Sequence, residues 1–322
     1  MDEQSSNATS NSSTVSTANL QQILALSTSL TDENEKRNIQ PVDEDRRKFF
    51  FDCVQSIQGI QGSYQDDIEI IKRSLEELRN NSNDAERCSV ALTSIMDLVD
   101  HIDVASDFMK LGGYSTVGQF LSSENSVLVR LAAEIIGISC QNHPFCQNAI
   151  LDDPRIFQDL FNILLSPHHE DNAKVKAVFA LSSCVQNNKV GHEKFVKLNG
   201  YDALLNILNT AGLPLKLRIC FVLDCLCSQF PQIKSLLLEK KFLDSLIDLL
   251  NKIPIDESKE TVLNTMLTFV EGFYDALKEC RKEKHNLKPT LEFLISRYTE
   301  DFKDEKEKAI RLKDELDRFS GE

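Results

Sequence analysis

The sequence has no tryptophan, and only 11 glycines and 8 prolines in 322 residues. A large β-architecture turns every few residues and draws heavily on both of those residue types, so their scarcity argues against a sandwich or barrel. Basic residues are also in deficit: 36 Lys and Arg face 50 Asp and Glu, a formal net charge of −14. A duplex-binding surface needs many cations to neutralise phosphates, and an anionic membrane repels the same excess of acid, so neither nucleic acid nor membrane is an expected partner. No stretch approaches 18 consecutive apolar residues, which leaves no candidate membrane-spanning helix. The stretch Met1 to Val15 is polar and lacks the apolar run of a signal peptide. The expected address is therefore cytoplasmic, with the nucleus as a second compartment.

No C-x-x-C pair occurs among the nine cysteines. Cys140, Cys184, Cys220, Cys225 and Cys227 all lie in apolar helical runs, and Cys225 and Cys227 are two apart, which points their thiols to different faces of a helix. Reduced thiols packed in a core are expected, with no zinc or redox site.

Leu is the most abundant residue, Ser, Asp, Glu, Ile and Lys follow, and 41% of the residues are hydrophobic, a composition that favours helices. The chain divides into four parts. Residues 1–42 are rich in Ser, Thr and Asn and bury too little apolar surface to offset their ordering entropy, apart from one island, Leu20 to Leu26. Residues 43–84 read as N-terminal capping helices. The first runs from Asp43 through Phe49-Phe50-Phe51 to Ile57. The second spans Asp66 to Arg79, with Ile68, Ile71, Leu75 and Leu78 on one face. Residues 85–282 carry internal repeats, and residues 283–322 read as a cap followed by a charged, solvated helix.

The repeats fix the fold class. Ala132 in Leu131-Ala132-Ala133-Glu134 and Ala177 in Lys176-Ala177-Val178-Phe179 are 45 residues apart, and Phe179 and Phe221 lie 42 apart in similar runs. Independently, Lys110-Leu111-Gly112-Gly113-Tyr114 recurs as Lys197-Leu198-Asn199-Gly200-Tyr201 at an offset of 87, the span of two such periods. Asn162-Ile163-Leu164 recurs as Asn206-Ile207-Leu208 at an offset of 44. A period of 42 to 45 built from short and long helices is that of armadillo/HEAT arrays. One such unit cannot cover its own apolar faces, so units stack into a right-handed all-α superhelix with a continuous core. The longest helix of each unit, near 126–142, 172–187, 215–229 and 258–273, is expected to line the concave side. The Gly112-Gly113 and Asn199-Gly200 elements are expected to be turns in which Gly supplies a positive φ.

No catalytic constellation stands out. The six histidines include an adjacent pair, His168-His169, but no H-E-x-x-H spacing. P-loop, dinucleotide and nucleophile-elbow motifs are absent as well. No enzyme, cofactor or metal is therefore expected. What remains is a protein-binding groove, with Arg130, Glu134, Asn142, Lys174, Lys176, Lys216 and Arg218 as its candidate polar residues. Lys174, Lys176, Lys216 and Arg218 form a basic strip in an acidic chain and suggest an acidic partner surface. A generic armadillo adaptor is one reading of such a groove. The lack of the tryptophans that nuclear-import receptors of this fold use fits that subclass poorly.

Several segments carry a closer resemblance. Asp43-Glu44-Asp45-Arg46-Arg47-Lys48-Phe49, Asp103-Val104-Ala105-Ser106-Asp107-Phe108, Ile136-Gly137-Ile138-Ser139-Cys140-Gln141-Asn142, Val175 to Ser182 and Glu279-Cys280-Arg281 together resemble the armadillo-type nucleotide-exchange factors of the seventy-kilodalton heat-shock chaperones, in particular their metazoan cytosolic branch. The resemblance covers about residues 43 to 297. It implies a monomeric co-chaperone that grips one lobe of the chaperone ATPase domain, opens the nucleotide cleft and lets ADP leave. It places Asp103, Ala105 and Asp107 at the contact surface, where the small Ala105 would permit close approach. Val104 departs from the family's Asn at that place. The island Leu20 to Leu26 resembles the family's short N-terminal apolar motif, which would promote substrate release.

Overall fold

The computed structural model describes residues 64–318. The expectations for residues 1–42, for the helix from Asp43 to Ile57 and for Phe319 onward lie outside the described residues. Helix α1 spans residues 64–80 and buries Ile71, Leu75 and Leu78, the face its spacing predicts. Asp84 then caps α2 (Ala85–Met96) by accepting a hydrogen bond from the Arg87 amide at 3.1 Å.

Five units follow, all helical among the described residues. The first is α3 (Ile102–Lys110), α4 (Gly113–Gly118), a 3₁₀ turn (Gln119–Ser122) and α5 (Ser126–Cys140). The second is α6 (Pro144–Asp152), α7 (Pro154–Leu165) and α8 (Asp171–Val185), and the third is α9 (Lys189–Lys197), α10 (Gly200–Thr210) and α11 (Leu213–Gln229). The fourth is α12 (Ile233–Glu239), α13 (Phe242–Lys252) and α14 (Ser258–Val270). The fifth is α15 (Tyr274–Cys280), a 3₁₀ turn (Glu283–His285), α16 (Leu287–Arg297), a second 3₁₀ turn (Glu300–Phe302) and α17 (Lys303–Arg318). The third helices α5, α8, α11, α14 and α17 begin 45, 42, 45 and 45 residues apart. Each packs on the next, and α2 packs on α5 in the same way, forming one ladder. A single core runs through all the units, from Ile71 in α1 to Leu316 in α17.

The fifth unit corrects the sequence reading, which gave the array about four repeats and left the C-terminal helix in solvent. α17 is charged on most sides, but Ala309, Leu312 and Leu316 are buried along one stripe against α14 and α16. Three apolar residues at helical spacing are enough to seat a helix whose composition alone looks solvated. Ion pairs reinforce the seat: Lys308 reaches Glu260 of α14 at 2.9 Å, and Lys288 of α16 reaches Asp317 at 2.6 Å.

The turns explain the Gly-Gly-Tyr and Asn-Gly-Tyr motifs, with one revision. In four of the five units the joint between the first and second helices has a left-handed residue: Gly112 (φ 78°), Asn199 (φ 55°), Lys241 (φ 62°) and Asn286 (φ 48°); in the second unit Asp153 is extended (φ −94°). Gly113 and Gly200 are not the positive-φ residues; each is the first residue of its helix. Their role is spatial. A Cβ on Gly200 would lie 2.5 Å from the Phe195 ring, and one on Gly113 would enter the Phe108 ring. The two rings in turn meet the motif tyrosines edge-on, Phe108 with Tyr114 and Phe195 with Tyr201, both at 5.3 Å between centroids.

If α17 completes the array, removing one of its buried side chains carries the cost of a core cavity. Leu312→Ala is expected to lower unfolding stability by about 2–5 kcal/mol in chemical denaturation. A change near zero would return this helix to solvent.

Candidate interaction face

The ladder leaves one side of every third helix uncovered. On α5 this side carries Val127, Arg130, Glu134 and Ile138, one residue per turn. α8 presents Val175, Phe179 and Ser182; α11 presents Arg218, Phe221 and Cys225; α14 presents Asn264 and Thr268. The face is knitted across helices. Glu134 accepts from Arg130 at 3.3 Å on its own helix and from Lys176 of α8 at 2.5 Å. Asn264 donates to Asp224 of α11 at 2.9 Å. Between α14 and α17 the face deepens into a cavity of about 360 Å³ lined by Asn264, Thr268, Glu271, Arg311, Asp314 and Arg318.

The centre of the face is an aromatic and cationic stack. The Arg218 guanidinium lies 4.8 Å from the centre of the Phe179 ring and 5.3 Å from that of Phe221. Phe221 is 47% exposed, the largest apolar exposure on α11. Arg218 Nε is buried and has no hydrogen-bond partner. Burial holds its pKa below the ordinary guanidinium value, but an arginine remains charged at neutral pH. A charged donor in this state lacks part of its solvation and has not regained it inside the chain.

The sequence candidates do not all come together. Arg130, Glu134, Lys176 and Arg218 come together on the ladder face. Lys174 and Lys216 do not, so the basic strip is not continuous. Each sits two residues from a face residue, about 200° around the helix. Lys216 lines a separate cleft with Ser245, Asp248 and Lys252, between α10 and α13. Lys174 lies near His169 in the loop before α8, where its charge adds to burial in lowering the His169 pKa. On the ladder face Glu134 pairs with Arg130 and Lys176, whereas Arg218 beside them has no carboxylate partner.

The Asp103 to Asp107 element is also revised. Ala105 is 1% exposed, and its carbonyl accepts a contact from the Cys146 thiol at 3.6 Å, so it is a core residue and not a surface gap. α3 turns Val104, Ala105 and Phe108 inward and leaves Asp103 exposed. Asp107 accepts from the Tyr64 hydroxyl at 2.5 Å and from Lys110 at 2.7 Å, which ties α1 to α3. Those two bonds, Lys110 first, hold its carboxyl below the usual carboxylate range. Asn142 takes φ 53° just after α5, as Asn187 (φ 57°) and Gly272 (φ 64°) do after α8 and α14, so its identity answers to a turn. Phe179, Phe221 and Gly137 were visible as repeat markers but not as site residues; the available signal was an arginine three residues before Phe221 on the same helix face.

One acidic cluster away from the face could suggest a cation site: Asp244, Glu279 and His285 bring one ligand atom each within 4.8 Å of one another. The Lys284 ammonium already pairs with both carboxylates, at 3.1 Å to Asp244 and 2.8 Å to Glu279.

A ladder of three-helix units with an uncovered third-helix face defines an armadillo-type repeat protein. Residues 104–235, from α3 into α12, match the family model described as the SIL1/FES1/HPBP1 C-terminal domain. Among its relatives, Hsp70-binding protein 1 of Rattus norvegicus is 26% identical over 284 residues, covering 85% of this chain and 78% of that protein. Hsp70 nucleotide exchange factor FES1 of Saccharomyces cerevisiae is 28% identical over 233 residues, covering 70% of this chain and 79% of that protein. Among solved structures, a designed armadillo repeat protein aligns over 76% of this chain and 99% of its own with a TM-score of 0.62 at 15% identity, a likeness of fold. No helix of the described residues is long and apolar enough to cross a membrane.

Glu279 gives a pH test of the fourth and fifth units. Hydrogen bonds from Lys282 and then Lys284 bring its pKa from 4.5 down to about 2. A depressed acid stabilises the fold above its unfolded pKa and loses that contribution as pH falls towards the folded one. Glu279→Gln is expected to melt about 2–4 °C below wild type near pH 7. The gap should close between pH 4.5 and 2. A gap independent of pH would mean that the loss is steric.

Proposed function

We propose that this chain is a co-chaperone, not an enzyme, that binds the ATPase domain of an Hsp70-class chaperone through the ladder face and promotes ADP release. The family and the names borne by its relatives support the partner class. The observation that carries the reading is the half-buried Arg218, its Nε without a hydrogen-bond partner, beside the rings of Phe179 and Phe221 on the uncovered face. Arginine is among the residue types enriched in the few positions that dominate binding energy at interfaces. The chain acts as a monomer in this proposal. Its compartment is proposed to be the cytoplasm and nucleus, in keeping with eight described cysteines that are all free thiols.

The mechanism is one of linkage. A partner that prefers the open nucleotide cleft must weaken ADP, and ADP must weaken the partner by the same factor. A thousandfold effect requires about 4 kcal/mol of differential contact, within the range of a few interface hot spots.

Mixing the purified chain with an Hsp70 ATPase domain loaded with labelled ADP should accelerate ADP release. Equal affinity for the ADP-saturated and nucleotide-free domain would remove the exchange mechanism, because a ligand without differential affinity shifts no equilibrium. Arg218→Ala should weaken binding by about 10–100-fold. Lys216→Glu should leave it near wild type, since Lys216 lines a different cleft.

A further inference from the structure

Gly137 lies in α5, buried, directly under the ring of Phe179 from α8. A Cβ built on Gly137 would lie 2.5 Å from Phe179 Cδ1 and 2.6 Å from Cε1, far inside any real carbon–carbon contact. The ring therefore rests on the backbone of α5, in space that any other residue would fill. Among the described helices, α5 and α8 have the most extensive contact of any pair. Small buried residues line both sides of it, Ala132 and Ala133 on one and Ala173, Ala177 and Ala180 on the other. Gly137 extends this run of small residues out to the uncovered face, and the ring that it admits is the inner support of the Arg218 guanidinium, at 4.8 Å.

We propose that Gly137 and Phe179 are positioning residues: the missing side chain at 137 admits the Cδ1–Cε1 edge of the Phe179 ring against α5, and the ring holds Arg218 in place for a carboxylate of an acidic partner surface. This inference rests on the reading of the ladder face as the chaperone contact. Three features support it beyond packing. First, Arg218 is held from both sides by rings, with Phe221 at 5.3 Å, so its position is set by π-faces and not by an ion pair. Second, its buried Nε has no hydrogen-bond partner within the chain, so ring contacts and not a polar bond fix the group. Third, the planar guanidinium recognises carboxylates through two parallel hydrogen bonds, a geometry that rewards a fixed plane. A lysine on the same scaffold would gain less, because its ammonium has no plane to fix.

The test needs a readout on Arg218 itself. In nitrogen-edited NMR of the full chain without any partner, the Arg218 Nε–Hε resonance should carry the ring-current shift of the two flanking rings. Gly137→Ala should move it towards the position of a free arginine, and Phe179→Ala should move it further in the same direction. Phe179→Ala introduces no new atom and removes a ring that is only half-buried, so it avoids the clash of Gly137→Ala, and a thermal melt of each variant separates loss of fold from loss of positioning. Binding to the Hsp70 ATPase domain, measured by calorimetry, should weaken about 5–20-fold in each variant. Gly137→Ala placed in the Phe179→Ala background should cost nothing further, because the ring it displaces is gone. Additive losses in the double variant, or an Arg218 resonance unmoved by either single change, would overturn the proposal. If the resonance moves as expected and Arg218→Ala binds the ATPase domain like wild type, the positioning stands and the chaperone reading of the face falls.

Discussion

Burial between neighbouring third helices is the constraint on which the rest of the molecule depends. A helix in this chain covers its apolar surface only when flanked on two sides by its counterparts from adjacent units. The pairing of α5 with α8 is its tightest instance, made by alanines and a glycine where other pairs use larger side chains. Because each unit leans only on its neighbours, stability is a sum of local contacts along a line, and the terminal members need a different finish. α2 provides it at one end of the described array. At the other end α17 combines a narrow apolar stripe inside with charge outside.

The same constraint creates the interaction face. A ladder that buries three sides of each third helix leaves the fourth available at every step, and the side chains there are held by a scaffold with little freedom to yield. Polar bonds then set their directions. Glu134 joins Lys176 to Arg130, Asp224 holds Asn264, and two rings hold Arg218. The result is a surface prepared before any partner arrives, which lowers the ordering cost of association.

The periodicity was legible because two unrelated markers, the Ala-Phe runs and the Gly-Tyr turns, keep the same spacing. What escaped the sequence were properties set by neighbours in space. Ala105 reads as a small surface residue until α6 places Cys146 against its backbone. Lys216 and Arg218 read as one strip until the phase of α11 sends them to different clefts. α17 reads as solvated because Ala309, Leu312 and Leu316 are scattered among charges, and only the presence of α14 and α16 gives them a place to go. Of the candidate face, the charged members were found and the aromatic support was read only as a marker of the repeat.

The buried thiols give the array a built-in set of reporters. Seven of the eight described cysteines are buried, and burial pushes Cys220, Cys227 and Cys280 up to about 12 and Cys146 up to about 11. Their reactive thiolate forms are thus scarce while the units stay closed. The cysteines are spread along the line, with Cys140 in the first unit, Cys184 in the second, Cys220 and Cys227 in the third, and Cys280 in the fifth. The alkylation rate at each one therefore clocks the opening of its own unit, and electrophiles that modify exposed cysteines elsewhere in a cell find few targets here while the array is intact.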